Sequence, residues 1–247
     1  MIPVEEKYEF EMPEIVMQKI EQADDRHTLI SEGDVADLSA VSIRGRAYCV
    51  IKRILDIVIA LVALLVALIP MVVIMLAIVI DDPGKPIFKQ YRVGQNGKRF
   101  KFYKFRTMKM DTPKYLSTSE VEDPEQYITR LGRFLRKSSL DELPQLLNVL
   151  RGDMSLIGPR PLISDEFEIH QMRMRFGVYA LRPGVTGLAQ VNGRDKVSPA
   201  DKVRWDVKYL ENFGFKMDMK ILLSTVPKVF GGKDVAEGYD SNKNGEK

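Results

Sequence analysis

From Ile57 to Ile80 the chain reads IVIALVALLVALIPMVVIMLAIVI, 24 residues without a charge. As an α-helix this run would reach roughly 36 Å, enough for a hydrocarbon core of about 30 Å. Length alone reads as a single transmembrane span. Two features pull the other way. Pro70, near the middle, removes a backbone hydrogen bond and favours a kink. Arg44, Arg46, Lys52 and Arg53 precede the run, and Lys85, Lys89, Arg92, Lys98, Arg99 and Lys101 follow it. Bases prefer the cytoplasmic side of a membrane. Both flanks are satisfied together by a helix that enters, bends at Pro70 and returns. From these residues alone the span and the re-entrant helix both stand. Asp56, at the edge of the run, is one turn from Lys52 and Arg53 and able to pair with either.

The charge balance divides the rest of the chain. Residues 1–40 hold 11 acids and 3 bases, a net of −8, whereas the remainder holds 23 acids and 34 bases, a net of +11. The leader, 1–45, reads as a flexible or loosely docked tail. The basic body suits an anionic partner such as phosphate or a lipid headgroup. The apolar run, which would hold the chain at a membrane, argues against nucleic acid. One cysteine, Cys49, excludes an intrachain disulfide and any Cys-x-x-Cys metal site and is consistent with a cytosolic body. The apolar run starts too late for a signal peptide. The expected divisions are 1–45 leader, 46–81 membrane helix, 82–231 soluble body and 232–247 disordered tail.

In the body, Pro86–Arg92 and Lys98–Met108 have strand-like content around Gly94-Gln95-Asn96-Gly97, which predicts a hairpin. Asp81-Asp82 reads as a solvated turn. Residues 111–127 read as a polar loop. Ile128–Lys137 predicts a short helix with Arg130, Arg133 and Arg136 on one face, suited to phosphate or lipid headgroups. Leu140, Leu143, Leu146, Leu147 and Leu150 recur at helical spacing. With Ser138 or Ser139 as N-cap, Asp141 and Glu142 fall in the first turn, where the helix dipole favours acids in any protein. The surroundings are less ordinary. Gly158-Pro159-Arg160-Pro161 restricts the backbone around one arginine, and Leu181–Arg194, LRPGVTGLAQVNGR, suits close backbone approach to a polyanion. Asp201–Phe213 predicts a helix carrying Trp205 and Tyr209, and Lys220–Phe230 a second amphipathic piece broken near Pro227.

Four segments in order, KRILDIVIAL, YKFRTM, SLDELPQLLNVLRGDMSLIGPRP and RPGVTGLAQVNGR, resemble the bacterial sugar transferase family, monotopic phosphoglycosyl transferases that act on polyprenyl phosphate. The resemblance runs from about Lys52 to about Phe230 and leaves out the leader. It implies an α+β, mostly helical body with a small β-hairpin, and it favours the Pro70-kinked re-entrant helix. The family often has serine before that proline, where this chain has Ile69. The implied reaction moves sugar-1-phosphate from a UDP-sugar to polyprenyl (undecaprenyl) phosphate and releases UMP. It is the first membrane step of exopolysaccharide, capsule or glycoconjugate assembly, on the cytoplasmic face of the bacterial inner membrane. By resemblance Asp141 is the nucleophile. Mg²⁺ is the counter-charge expected for a diphosphate, held by Asp141 with Glu142; Glu142 is alternatively an acceptor-positioning or proton-handling group. Lys104, Arg106, Arg136 and Arg160 are candidate phosphate contacts, and Gln190, Asn192 and Arg194 candidates for reading nucleotide or sugar. Two rivals stand beside this reading: a glycosyltransferase that releases UDP, and an inactive membrane-anchored scaffold of a polysaccharide complex. The residues leave open which sugar is used and whether copies form a homo-oligomer.

Overall fold

A computed structural model describes residues 46–112, 124–164, 166–193 and 198–231. The leader, Arg194 and the tail from 232 lie outside the described residues. Most of the described chain is helical. The uncharged run lies inside one long helix, α1 (Arg46–Asp81), with Pro70 within it. At 1.5 Å per residue its 36 residues would extend about 54 Å if straight.

One stripe of α1, Lys52, Asp56, Ala60, Leu64, Ala67, Met71, Met75 and Ile78, turns toward the body at helical spacing. Ala60 packs among Phe100, Phe102, Leu146, Val149 and Met154, and Met71 and Ile78 pack with Phe105 and Leu135. The opposite face carries 18 large aliphatic side chains in the open, among them Val66, Ile69 and Ile80, each more than 70% exposed. Removing one such side chain from water is worth about 1.5–3 kcal/mol. A face this large and this apolar is a membrane- or partner-facing surface rather than a wet one.

Both ends of α1 are tied to the body by polar bonds. Near its start, Lys52 Nζ donates to Asp218 at 2.7 Å and lies 3.9 Å from Asp56, whose carboxylate accepts the Leu156 amide at 3.1 Å. Tyr48 and Tyr209 hydroxyls each donate to Asp218 at 2.7 Å. Burial, and then the Asp218 charge, push the Tyr209 phenol well above its ordinary value, so it stays a donor. Arg53 caps the carbonyls of Val149 and Leu150 at 2.7 and 3.1 Å. At the other end, Arg106 donates to the carbonyl of Asp82 and lies 3.4 Å from its carboxylate.

The predicted hairpin is β1 (Ile87–Val93) paired antiparallel with β2 (Arg99–Phe105), joined by a short turn at Gln95–Gly97. After a stretch outside the description comes α2 (Arg130–Ser138), N-capped by Thr129, whose hydroxyl accepts the Gly132 amide at 2.9 Å. Gly132 lies so close to the Thr107 carbonyl that a Cβ there would overlap it, which brings α2 hard against the end of β2.

The leucine-rich stretch is not one helix from Ser138 or Ser139. Ser139 is left-handed, with φ 57°, and ends α2. Ser138 Oγ donates backward to the Phe134 carbonyl at 2.8 Å, and Ser139 makes no side-chain cap. Leu140–Glu142 forms a single 3₁₀ turn, and α3 (Gln145–Arg151) begins after Pro144, whose fixed φ and missing N–H suit a helix start but not its interior. The remaining elements are β3 (Ser155–Ile157), α4 (Phe167–Arg175), β4 (Gly184–Thr186), α5 (Leu188–Asn192), α6 (Pro199–Glu211) and α7 (Phe215–Gly231). β3 and β4 pair in parallel. The expected break near Pro227 is absent: α7 runs through it as one helix.

Candidate active site

A cleft of about 350 Å³ opens between the 3₁₀ turn after α2, the loop after β3, and the β4–α5 segment. Asp141 and Glu142 line one side, with Arg136 and Arg160 beside them; Arg173, Glu166, Lys202, Gln190, Thr186 and Thr225 line the rest. Asp141 is buried, at 6% exposure. The wall therefore interleaves four cations with three carboxylates, a pattern suited to an anion that must be both attracted and released.

Arg136 and Arg160 are each held in place by further contacts. Arg136 is buried on the last turn of α2, and its Nε donates to Thr107 Oγ1 at 2.8 Å, a consequence of the close approach at Gly132. The α3 helix, following the acidic turn, is stitched to β2 through Asn148. Its Nδ2 donates to the Lys101 carbonyl at 2.6 Å, and its Oδ1 accepts the Tyr103 amide at 3.2 Å. Asn148 is fully buried, so both of its polar ends need these partners.

The Gly-Pro-Arg-Pro loop is held more firmly still. Four successive carbonyls each accept a hydrogen bond from a different place. Pro159 accepts from the Gly184 amide at 2.8 Å, Arg160 from Arg173 Nη1 at 2.8 Å, Pro161 from Arg92 Nη1 at 2.9 Å, and Leu162 from the Val93 amide at 2.9 Å. Gly184 and Gly158 approach so closely that a Cβ on either would overlap backbone of the facing segment. With its backbone fixed, Arg160 extends its guanidinium to within 3.5 Å of Glu142 Oε1 while keeping 41% of its side chain open.

Arg173 links this loop to the core. Its Nε and Nη2 donate to Asp206 Oδ2 at 2.9 and 2.6 Å, and both residues are buried. Desolvation works against the Arg173 guanidinium, but the Asp206 carboxylate more than offsets it and holds it above its ordinary value. Burial likewise pushes the Asp206 carboxyl up, with Arg173 opposing. The two hydrogen bonds favour the charged pair.

Of the residues singled out from the sequence, Asp141, Glu142, Arg136, Arg160 and Gln190 come together in the cleft. Gln190 Nε2 donates to the Val185 carbonyl at 3.0 Å, leaving its buried Oε1 without a partner among the described residues. Lys104, Arg106 and Asn192 do not line the cleft. Lys104 lies over the Phe88 ring on the hairpin, Arg106 caps the end of α1, and Asn192 Nδ2 donates to the Leu188 carbonyl at 2.7 Å. Arg194 falls outside the described residues. Arg173, Asp206, Glu166 and Lys202 carried no motif, although Arg173 and Asp206 left a signal: charged residues on the buried stripes of α4 and α6.

Among the described residues no three His, Cys, Asp or Glu side chains converge as a protein-only metal cage. Two adjacent carboxylates on the wall of an arginine-lined cleft still fit Mg²⁺, which commonly takes one or two carboxylates and completes its shell with water and substrate phosphate.

A long apolar helix, compatible with membrane anchoring, is fastened to a mostly helical body whose cleft sets a carboxylate pair among arginines. The chain belongs to the bacterial sugar transferase family, whose profile matches residues 47–232. It is 45% identical over 164 residues to an uncharacterised sugar transferase, EpsL, of Bacillus subtilis, covering 66% of this chain and 77% of that protein. It is 38% identical over 192 residues to the exopolysaccharide production protein ExoY of Sinorhizobium fredii, covering 72% and 84%. It is 41% identical over 187 residues to a UDP-glucose:undecaprenyl-phosphate glucose-1-phosphate transferase of Caulobacter vibrioides, covering 72% and 69%.

Proposed function

We propose that this enzyme is a phosphoglycosyl transferase that moves sugar-1-phosphate from a UDP-sugar to undecaprenyl phosphate and releases UMP. The observation that carries the reading is the buried Asp141 beside Glu142 in a cleft walled by Arg136 and Arg160, in a body fastened to an apolar helix. The relatives' names supply the substrate class.

In the first step a carboxylate oxygen of Asp141 attacks the phosphorus that bears the sugar. A new O–P bond forms, the diphosphate bridge breaks, and UMP leaves with the bridging oxygen and its electron pair. In the second step an oxygen of polyprenyl phosphate attacks the same phosphorus, the acyl-phosphate bond breaks, and Asp141 is regenerated as a carboxylate. Dividing one transfer into two in this way is the advantage of a covalent route. Arg136 and Arg160 hold the phosphates and offset their charge. Gln190, whose side-chain carbonyl oxygen has no partner among the described residues, contacts the nucleotide or the sugar. Magnesium, held when bound by Asp141 and Glu142, supplies further counter-charge to the diphosphate.

A re-entrant arrangement of α1 is supported over a simple span by its attachment to one body near Lys52 and again near Asp82, and by the basic residues on both flanks. α7 adds exposed Phe215, Met219, Leu222, Leu223 and Val226 along one stripe. The body lies on the cytoplasmic face of the inner membrane, where a lipid acceptor meets a soluble nucleotide sugar.

The membrane-embedded full chain, given Mg²⁺, undecaprenyl phosphate and a panel of UDP-sugars, is expected to release UMP with one of them. Release of UDP, with sugar and no phosphate on the lipid, would overturn the reading in favour of a glycosyltransferase.

A further inference from the structure

We propose that the acidic leader, residues 1–40, docks on the outward face of the β1–β2 hairpin. In the hairpin register Lys89 stands opposite Tyr103, Tyr91 opposite Lys101 and Val93 opposite Arg99, so these side chains share one face. On that face Lys89 Nζ lies 5.9 Å and the Arg151 guanidinium 5.1 Å from the Tyr103 ring centre; Arg99 lies 5.1 Å and Lys101 5.9 Å from that of Tyr91. Two tyrosine rings thus carry four cations in a ladder. Lys89, Arg99, Lys101 and Arg151 are all exposed, and none forms an ion pair with another described residue. The ladder shares no residue with the cleft.

Alternation along β2 turns Phe100 and Phe102 to the other face, where they pack with Ala60 of α1, while Phe105, on the ladder side, packs with Met71 and Ile78 of the same helix. Charge and tethering, rather than direction, choose the occupant. The polyanion nearest to hand belongs to this chain. Residues 1–40 carry 11 acids against 3 bases. They lead into α1 at Arg46, and two turns on Arg53 is bonded to the carbonyls of Val149 and Leu150, beside Arg151 of the ladder. Tethering so close keeps the effective concentration high. Exposed ion pairs are individually weak, so the docking depends on many of them and is sensitive to salt.

The test uses full-length protein in neutral phosphatidylcholine nanodiscs and a carbodiimide, which joins carboxylates to lysines in contact. Equal amounts of ¹⁴N and ¹⁵N chains are mixed. Peptides joining leader acids to Lys89 and Lys101 are expected, within single-isotope chains. Their yield is expected to fall about fivefold or more at roughly 0.5 M salt, where the Debye length is only about 4 Å. Arg99→Glu, which leaves both reporter lysines in place, is expected to give a similar fall without loss of UMP release. Several results would overturn the proposal: leader links spread evenly over the body lysines, mixed-isotope links indicating a second copy, or yields indifferent to Arg99→Glu. Displacement of the links by phosphatidylserine in the nanodisc would assign the face to lipid instead.

Discussion

Two regions of this protein are rich in cations, and they are built in opposite ways. In the cleft, Arg136 is buried and fastened to Thr107, Arg173 is sealed against Asp206, and the backbone of Arg160 is pinned at four successive carbonyls. On the hairpin, Lys89, Arg99 and Lys101, joined by Arg151 from the end of α3, stand in solvent over tyrosine rings, with no carboxylate among the described residues to fix them. The first arrangement suits chemistry, because the charges are in place before the substrate arrives and need no reorganisation. The second suits a partner that comes and goes.

The contrast can be broken most severely at Asp141. Asp141→Asn keeps size and shape but removes the proposed nucleophile, and it is expected to lower UMP release by about a thousandfold or more while the chain stays folded and membrane-bound. Next in size is the buried pair behind the arginine loop. Arg173→Ala leaves Asp206 charged and unpaired in the core, an expected cost of about 3–5 kcal/mol. Thermal unfolding of the purified protein is then expected roughly 10 °C lower. The double variant with Asp206→Ala is expected to recover part of that loss, which separates the pair from two independent contributions. Arg160→Lys keeps the charge but loses the planar fork, and kcat/KM is expected to fall about tenfold with stability unchanged. The smallest effect belongs to Gln190. Gln190→Met removes an acceptor with no partner among the described residues and a single hydrogen bond to the Val185 carbonyl, so stability is expected to fall by only about 1 kcal/mol while KM for the UDP-sugar rises severalfold.

Much of this was legible in the residues because it lay in local pattern. The uncharged run gave α1, the Gly-Gln-Asn-Gly turn gave the hairpin, and three separated motifs that share one chemistry supplied the walls of one cleft. What escaped was tertiary. Lys104 and Arg106 are candidate phosphate contacts by their place in the YKFRTM segment, whereas the structure sets Lys104 over Phe88 on the hairpin and Arg106 against the carbonyls of Ile78 and Asp82 at the end of α1. Arg173 and Asp206 are far apart in sequence, and only the packing of α4 on α6 makes them one pair. The acidic turn looked like a helix start, but Pro144 and the left-handed Ser139 divide it from both neighbouring helices. That separation is what puts Asp141 in the cleft wall rather than on a helix face.

The claim on which the chemistry rests is a covalent bond between Asp141 and phosphorus. Rapid-quench mass spectrometry of the enzyme mixed with its UDP-sugar, before lipid acceptor is added, tests it directly. The expected result is a gain of one phosphosugar mass on the peptide containing Asp141, discharged when undecaprenyl phosphate is supplied. Steady release of UMP with no such mass on that peptide at any quench time would contradict it.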